Sequence, residues 1–181
     1  MYHGYGRLPS YPARPFSLCP DACAAGIITH ARRRVWPGGD RASAMKKFEI
    51  IEHTADVAIE AYGSTREELF ANAALGMFTI IGDTDKVAPA ESRLIEVHAD
   101  GPELLLADFL AELLYQLDVS HFVLHHATVE SVTDTDVRAM VYGEPLGPHH
   151  ELFTDIKAVT HHRLKVERCD SGWRATVLFD I

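Results

Sequence analysis

Cysteine, long apolar runs and positive charge are all scarce in this chain, and each scarcity closes off a class of protein. Three cysteines, Cys19, Cys23 and Cys169, make an odd count with only one beyond residue 44. That is no disulfide framework, and it fits a reducing compartment, the cytoplasm. The longest apolar stretch near the start, Cys23 to Thr29, is too short to span a bilayer, and Arg32 to Arg34 follow it rather than precede it. Neither a secretory signal nor a transmembrane helix is expected. The formal net charge is −9; residues 1–44 hold six arginines against Asp21 and Asp40, contributing +4, so residues 45–181 carry −13. A surface that negative repels phosphate backbones, which argues against tight direct nucleic-acid binding and for proteins or cations as partners. No internal repeat is present.

What the chain does have is apolar content: 47% of its 181 residues, enough for one well-buried core and one domain. Residues 1–44 contain five of the nine prolines, Pro9, Pro12, Pro15, Pro20 and Pro37, without sustained periodicity. They are expected to be a disordered or mis-called leader, with Met45 the initiator and residues 45–181 the domain.

From Met45 the pattern is legible. Phe48 to Ile51 reads as a short strand, and Val57 to Tyr62 alternates, with Val57, Ile59 and Ala61 on one face. Ser64 with Glu67, or Thr65 with Glu68, offers a capping box for an amphipathic helix over about 65–81 carrying Leu69, Ala73, Met77 and Ile81, ended by Gly82-Asp83. A strand near Leu94 to Ala99 precedes a cap at Asp100 or Gly101, Pro102 in the first turn, and a leucine-rich helix through Leu117. Strands follow at Phe122 to Val132, Val137 to Tyr142, Ile156 to Arg168 and Trp173 to Phe179. The class is α+β: a single domain whose mixed or antiparallel β-sheet packs with two amphipathic helices.

Two acid-bearing segments stand out, Glu52-His53-Thr54-Ala55-Asp56-Val57 and the ending Phe179-Asp180-Ile181. If the strands carrying them lie side by side, the carboxylates of Asp56 and Asp180 and the terminal carboxylate of Ile181 converge. Three close anions repel unless protons or a cation neutralise them, and hard cations take oxygen ligands of this kind. The bland reading makes Asp56 a turn-closing acid and Asp180 a solvated one. Against it, the apolar run Ala175 to Phe179 draws Asp180 into the fold. The other candidates are weaker. Of the eleven histidines, the adjacent pairs His125-His126, His149-His150 and His161-His162 can each give at most one ligand to a given site, since neighbours on a strand point to opposite faces. Cys19, Cys23 and His30 lack a fourth zinc ligand. Lys157 reads as a solvated charge or a contact to nucleotide or partner, and Trp173 as core.

Phe48 to Val57, Glu68-Leu-Phe-Ala-Asn-Ala-Ala74, Leu104 to Leu114, Lys157-Ala-Val-Thr-His-His162 and Phe179-Asp-Ile181 together resemble archease over residues 45–181. That family is a protein cofactor of RtcB-type RNA ligases in tRNA splicing and RNA repair. The resemblance implies a divalent cation, Ca²⁺ above Mg²⁺ or Mn²⁺, held by Asp56, Asp180 and Ile181. It also implies a role in ligase guanylation and repeated turnover rather than ligation itself. Glu52 stands where the family usually has aspartate, which keeps the charge and leaves that ligand set intact; the family often has tyrosine near His161. The rival reading is a small metal-dependent phosphohydrolase with Asp56 and Asp180 as metal ligands and His53 as general base. A cofactor is expected to be inert toward nucleotides and phosphoesters when purified alone; metal-dependent turnover by the isolated protein would favour the hydrolase.

Overall fold

The computed structural model describes residues 46–52 and 56–181. The leader, with Cys19, Cys23 and His30, and His53 lie outside the described residues. The element order is β1 (Phe48–Glu52), β2 (Asp56–Gly63), α1 (Arg66–Ile81), a 3-10 turn at Thr84–Lys86, β3 (Glu91–His98), α2 (Pro102–Ser120), β4 (Phe122–Val132), β5 (Asp136–Pro145), β6 (Ala158–Cys169) and β7 (Gly172–Asp180).

The α+β class holds, with every strand pair antiparallel and the strands divided between two sheets, a four-stranded one in the order β1-β2-β7-β6 and a three-stranded one in the order β3-β5-β4. The two helices join the sheets: α1 packs on β2 and β4, and α2 on β6 and β3. Their apolar stripes meet in one core. Leu69, Phe70, Met77 and Phe78 of α1 and Leu105, Leu106, Phe109 and Leu110 of α2 lie with Val57, Ile59, Ala61, Val177 and Phe179 of the larger sheet. Phe70 and Phe109 touch directly across the helices, with ring centroids 5.8 Å apart. Asn72 is the one polar side chain in the buried set of described residues, and its Nδ2 donates to the Tyr62 carbonyl at 2.7 Å, fastening α1 to the end of β2.

The helix ends show how local chemistry sets boundaries. Thr65 caps α1 by accepting from the Glu68 N–H at 3.2 Å, while the Glu68 carboxylate reaches back to the Ser64 hydroxyl and backbone N–H. The Thr65–Glu68 alternative is the one realised, while Glu67 accepts from the Val132 N–H instead of pairing with Ser64, and the Ser64 hydrogen bonds hold the Glu68 carboxyl below its ordinary range. Gly82 ends α1 in extended backbone, not a left-handed turn; a Cβ there would lie 2.8 Å from the Glu151 carbonyl oxygen, so the glycine serves a close chain crossing. Gly101, at φ 106°, is the cap of α2 and makes no side-chain bond. The β strands run one to three residues beyond several of the expected limits, β3 starting at Glu91 and β5 reaching Pro145, while β6 starts at Ala158, two residues later than Ile156.

Between β5 and β6 a strap, residues 146–157, crosses the end of α1. Phe153 N–H donates to the Ile81 carbonyl at 2.7 Å, Gly82 and Leu152 form a bridge, and Ile156 is buried. Trp173 is part-buried against the core with the Arg66 guanidinium 4.6 Å above its ring, a structural role as expected. Among the described residues no helix is long and apolar enough to cross a membrane.

Gly143 is the tightest approach in the smaller sheet: a Cβ at this position would lie 1.9 Å from the Val123 carbonyl oxygen. Gly143→Ala must push β4 and β5 apart beside their bulge, and is expected to lower unfolding stability by about 1–3 kcal/mol. Chemical denaturation measures this; a midpoint equal to that of the unaltered protein would mean the ladder yields there at no cost.

Candidate functional site

The larger sheet brings the two ends of the domain together. β2 and β7 are its central pair, and their register runs from Gly63 against Trp173 to Asp56 against Asp180. The last position is where the sequence placed its candidates: Asp56 is the first residue of β2, Asp180 the last of β7, and the two are directly opposite. Directly opposed residues share a face, with Cβ atoms typically about 4.5–5.5 Å apart. β6 continues the row, since Ala158 pairs with Asp180 on the other side. This small side chain leaves the row open beside the acids.

Alternation explains why these acids are accessible while their neighbours are not. Val57 and Phe179 point into the core, which puts Asp56 and Asp180 on the opposite face, Asp56 part-buried and Asp180 exposed. The next row on that face, Ile51, Ala58 and Leu178, is a separate small apolar cluster, joined at the Leu178 position by Thr160 of β6. Thr160 Oγ1 is the one buried side-chain polar atom without a hydrogen-bond partner among the described residues. Ile181, next after Asp180, is 38% exposed.

The electrostatics single this pair out. Cross-strand pairs elsewhere on the solvent faces join opposite charges: Glu96 with Arg138, and Glu167 with Arg174. Glu49 also faces Glu60 across β1 and β2, but Glu49 is paired with Lys46 at 2.9 Å and Glu60 accepts the Tyr62 hydroxyl at 2.8 Å. Neither Asp56 nor Asp180 has a side-chain partner of that kind among the described residues. Like charges directly opposite destabilise a sheet, so the arrangement is suited to a cation. Lys157 adds a nearby positive group. It precedes β6 rather than lying on it, is exposed, and its backbone N–H donates to the Asp180 carbonyl at 2.8 Å.

Two expectations about histidine fail. His149-His150 do not alternate, because they lie in the strap; their ring centroids are 4.0 Å apart and both Nε2 atoms point at Glu144 Oε1. His125-His126 lie on β4 at a register shift, which brings their rings edge to face at 5.0 Å, with His126 stacked on Tyr142. The strand rule holds only where the ladder is regular. Nothing in the sequence marks Ala158 or Thr160 as neighbours of the acids, since their placement comes from strand order.

Comparison with known proteins agrees with this architecture. The model of the Archease protein family (MTH1598/TM1083) matches residues 48–181. The chain is 42% identical over 141 residues to protein archease of Methanosarcina mazei, covering 75% of this chain and 97% of that one. It is 38% identical over 142 residues to protein archease of Thermococcus kodakarensis, covering 76% and 100%. The solution structure of Methanobacterium thermoautotrophicum protein 1598 superimposes with a TM-score of 0.66 at 34% identity, covering 76% of this chain and 100% of that one. The crystal structure of an archease from Thermotoga maritima, described there as a possible chaperone, shares the fold at 22% identity and a TM-score of 0.51, covering 72% and 94%.

The opposed carboxylates carry a prediction independent of any ligand. In chelator at low ionic strength, Asp180→Asn should raise the stability of the domain by about 0.2–1 kcal/mol, an increment that shrinks as salt is added. Thermal unfolding tests it, and a less stable variant would mean that Asp180 is held by an attractive contact instead.

Proposed function

The chain belongs to the archease family, and from that premise we propose that it is a non-catalytic protein cofactor of an RtcB-type RNA ligase in tRNA splicing or RNA repair. In this reading it promotes guanylation of the ligase and repeated turnover, working in the cytoplasm through a divalent-cation site formed by Asp56, Asp180 and the terminal carboxylate of Ile181. The observation that carries the reading is the direct opposition of Asp56 and Asp180 at the open end of the β2–β7 ladder, one residue before Ile181.

The donor set supports it. All the oxygens are carboxylate, the preference of Ca²⁺, Mg²⁺ and Mn²⁺ rather than of softer ions, and Ca²⁺ tolerates the irregular coordination that two strand ends and a chain terminus provide. Thr160 Oγ1, one row inward on the same face, is a buried hydroxyl that makes no hydrogen bond among the described residues. Bound there, the cation supplies positive charge and exchangeable oxygen coordination.

The rest is done by the protein's own groups. The charge of −13 on residues 45–181 complements a ligase active site that must itself be basic to hold RNA and nucleotide, and complementary charge speeds encounter. Asp56 and Asp180 sit at the sheet's end, where they can enter such a mouth. Lys157, with its backbone tied to Asp180, offers an ammonium to a phosphate or to an acidic group of the partner. The hydrolase alternative relies on His53, which lies outside the described residues, and no observation favours it.

Ligase guanylation measured with and without the protein tests the proposal. Asp56→Ala and Asp180→Ala are expected to abolish stimulation while keeping the fold, and unchanged stimulation would end the idea. A C-terminal extension, which moves the free carboxylate away, should weaken both Ca²⁺-dependent stabilisation and stimulation, whereas an N-terminal one should not. Equal performance of the two forms would remove Ile181 from the ligand set.

A further inference from the structure

A second cluster lies in the strap after β5 and belongs to neither the acid pair nor the core. Glu144 stands near the end of β5, and its Oε1 accepts from the Ala88 N–H at 2.7 Å. His150 Nε2 lies 3.1 Å and His149 Nε2 3.4 Å from the same oxygen. Leu146 N–H donates to the His121 carbonyl at 2.6 Å and His150 N–H to the Gly147 carbonyl at 3.1 Å, so the backbone holding both rings is fixed at either side. The His150 side chain is 2% exposed, Glu144 17% and His149 58%, which leaves one open side to an otherwise enclosed group.

We propose that Glu144, His149 and His150 form a binding site for a borderline transition dication such as Zn²⁺ or Co²⁺, distinct from the carboxylate site at Asp56 and Asp180. The spacing favours this. Ligands about 2.0–2.1 Å from a tetrahedral metal lie roughly 3.3–3.4 Å from one another, close to the observed 3.1 and 3.4 Å. The three donor atoms lie within 4.8 Å of one another, the one such group among the described residues. Two imidazoles and one carboxylate select Zn²⁺, Co²⁺ or Ni²⁺ over Ca²⁺ or Mg²⁺, and the exposed side leaves a fourth position for water.

The metal-free form has a defined proton arrangement that loading must change. Gly147 N–H donates to His150 Nδ1 at 2.8 Å, so Nδ1 is the unprotonated nitrogen and the neutral ring carries its proton on Nε2, directed at Glu144. Metal ligation at Nε2 requires the proton on Nδ1 instead. The Gly147 N–H···Nδ1 bond is then lost and that amide turns to solvent. Loss of one hydrogen bond is minor beside metal ligation, but it is a marker that a passive hydrogen-bonded clasp would not show.

Titration of the chelator-treated full chain with Co²⁺ tests the site, with Gly147 followed by amide NMR during Zn²⁺ addition. One equivalent of Co²⁺ should give a tetrahedral-type visible spectrum, and the Gly147 amide should shift and exchange faster on Zn²⁺ loading. His149→Ala, which alters an exposed side chain, should weaken Zn²⁺ binding by more than about tenfold with the melting temperature of the metal-free protein unchanged. Asp56→Asn should bind as the unaltered chain does. Absence of the spectrum, its persistence in His149→Ala, its loss in Asp56→Asn, or an unmoved Gly147 amide would each overturn the assignment.

Discussion

The register of β2 on β7 is the constraint on which the rest of this structure depends. These strands come from opposite ends of the domain, and their pairing closes the chain on itself through eight consecutive positions, Asp56 with Asp180 to Gly63 with Trp173. Because side chains alternate, one register places Val57, Ile59, Ala61, Ala175, Val177 and Phe179 against the helices and the acids on the outer face. A slip of one residue would expose that apolar set and bury the charges, so hydrophobic burial enforces a register that also fixes the acid pair. The core and the site are thus consequences of the same ladder.

The helices add a second constraint, since each spans both sheets and neither sheet is complete without them. α1 covers β2 and β4, α2 covers β6 and β3, and the Phe70–Phe109 contact joins the two. This division into a four-stranded and a three-stranded sheet was not legible in the sequence. Alternation and capping report local states, and they identified both helices and all seven strands, Phe122 to Val132 to the residue. Which strand lies beside which is decided by packing among residues far apart in sequence, and no local periodicity encodes it.

The same distinction governs the functional residues. Asp56 and Asp180 were visible because each begins or ends an apolar strand, a local signal, and the archease-like motifs at both ends added to it. Ala158 and Thr160 were invisible because their relation to the acids passes through strand order. The histidines show the opposite error. Reading His149 and His150 as strand neighbours pointed them to opposite faces, but the strap is held by crossings at Ile81 and Gly82, and freed from alternation both rings turn to Glu144. Gly82 carries a related lesson: its helix-ending position was evident, whereas its reason, the Glu151 carbonyl against its Cα, belongs to the tertiary structure.

Charge placement then separates what the fold needs from what it tolerates. Across both sheets the outer faces pair acid with base, and the one other opposed acid pair, Glu49 with Glu60, is relieved by Lys46 and the Tyr62 hydroxyl. Tyr62 shows how costly unrelieved charge would be there, because burial, and then the Glu60 hydrogen bond and charge, push its ionisation upward and keep it the proton donor. Asp56 and Asp180 have no such relief within the described residues, although a lysine or asparagine at either place would supply it. Folding alone gives no reason to keep two carboxylates face to face at the end of the central ladder. Such a pair lowers the stability of the free domain and raises the affinity of that position for positive charge, whether a cation or a basic partner brings it. The placement at the sheet's end rather than mid-ladder limits the cost, because there water screens the repulsion and a ligand can still enter.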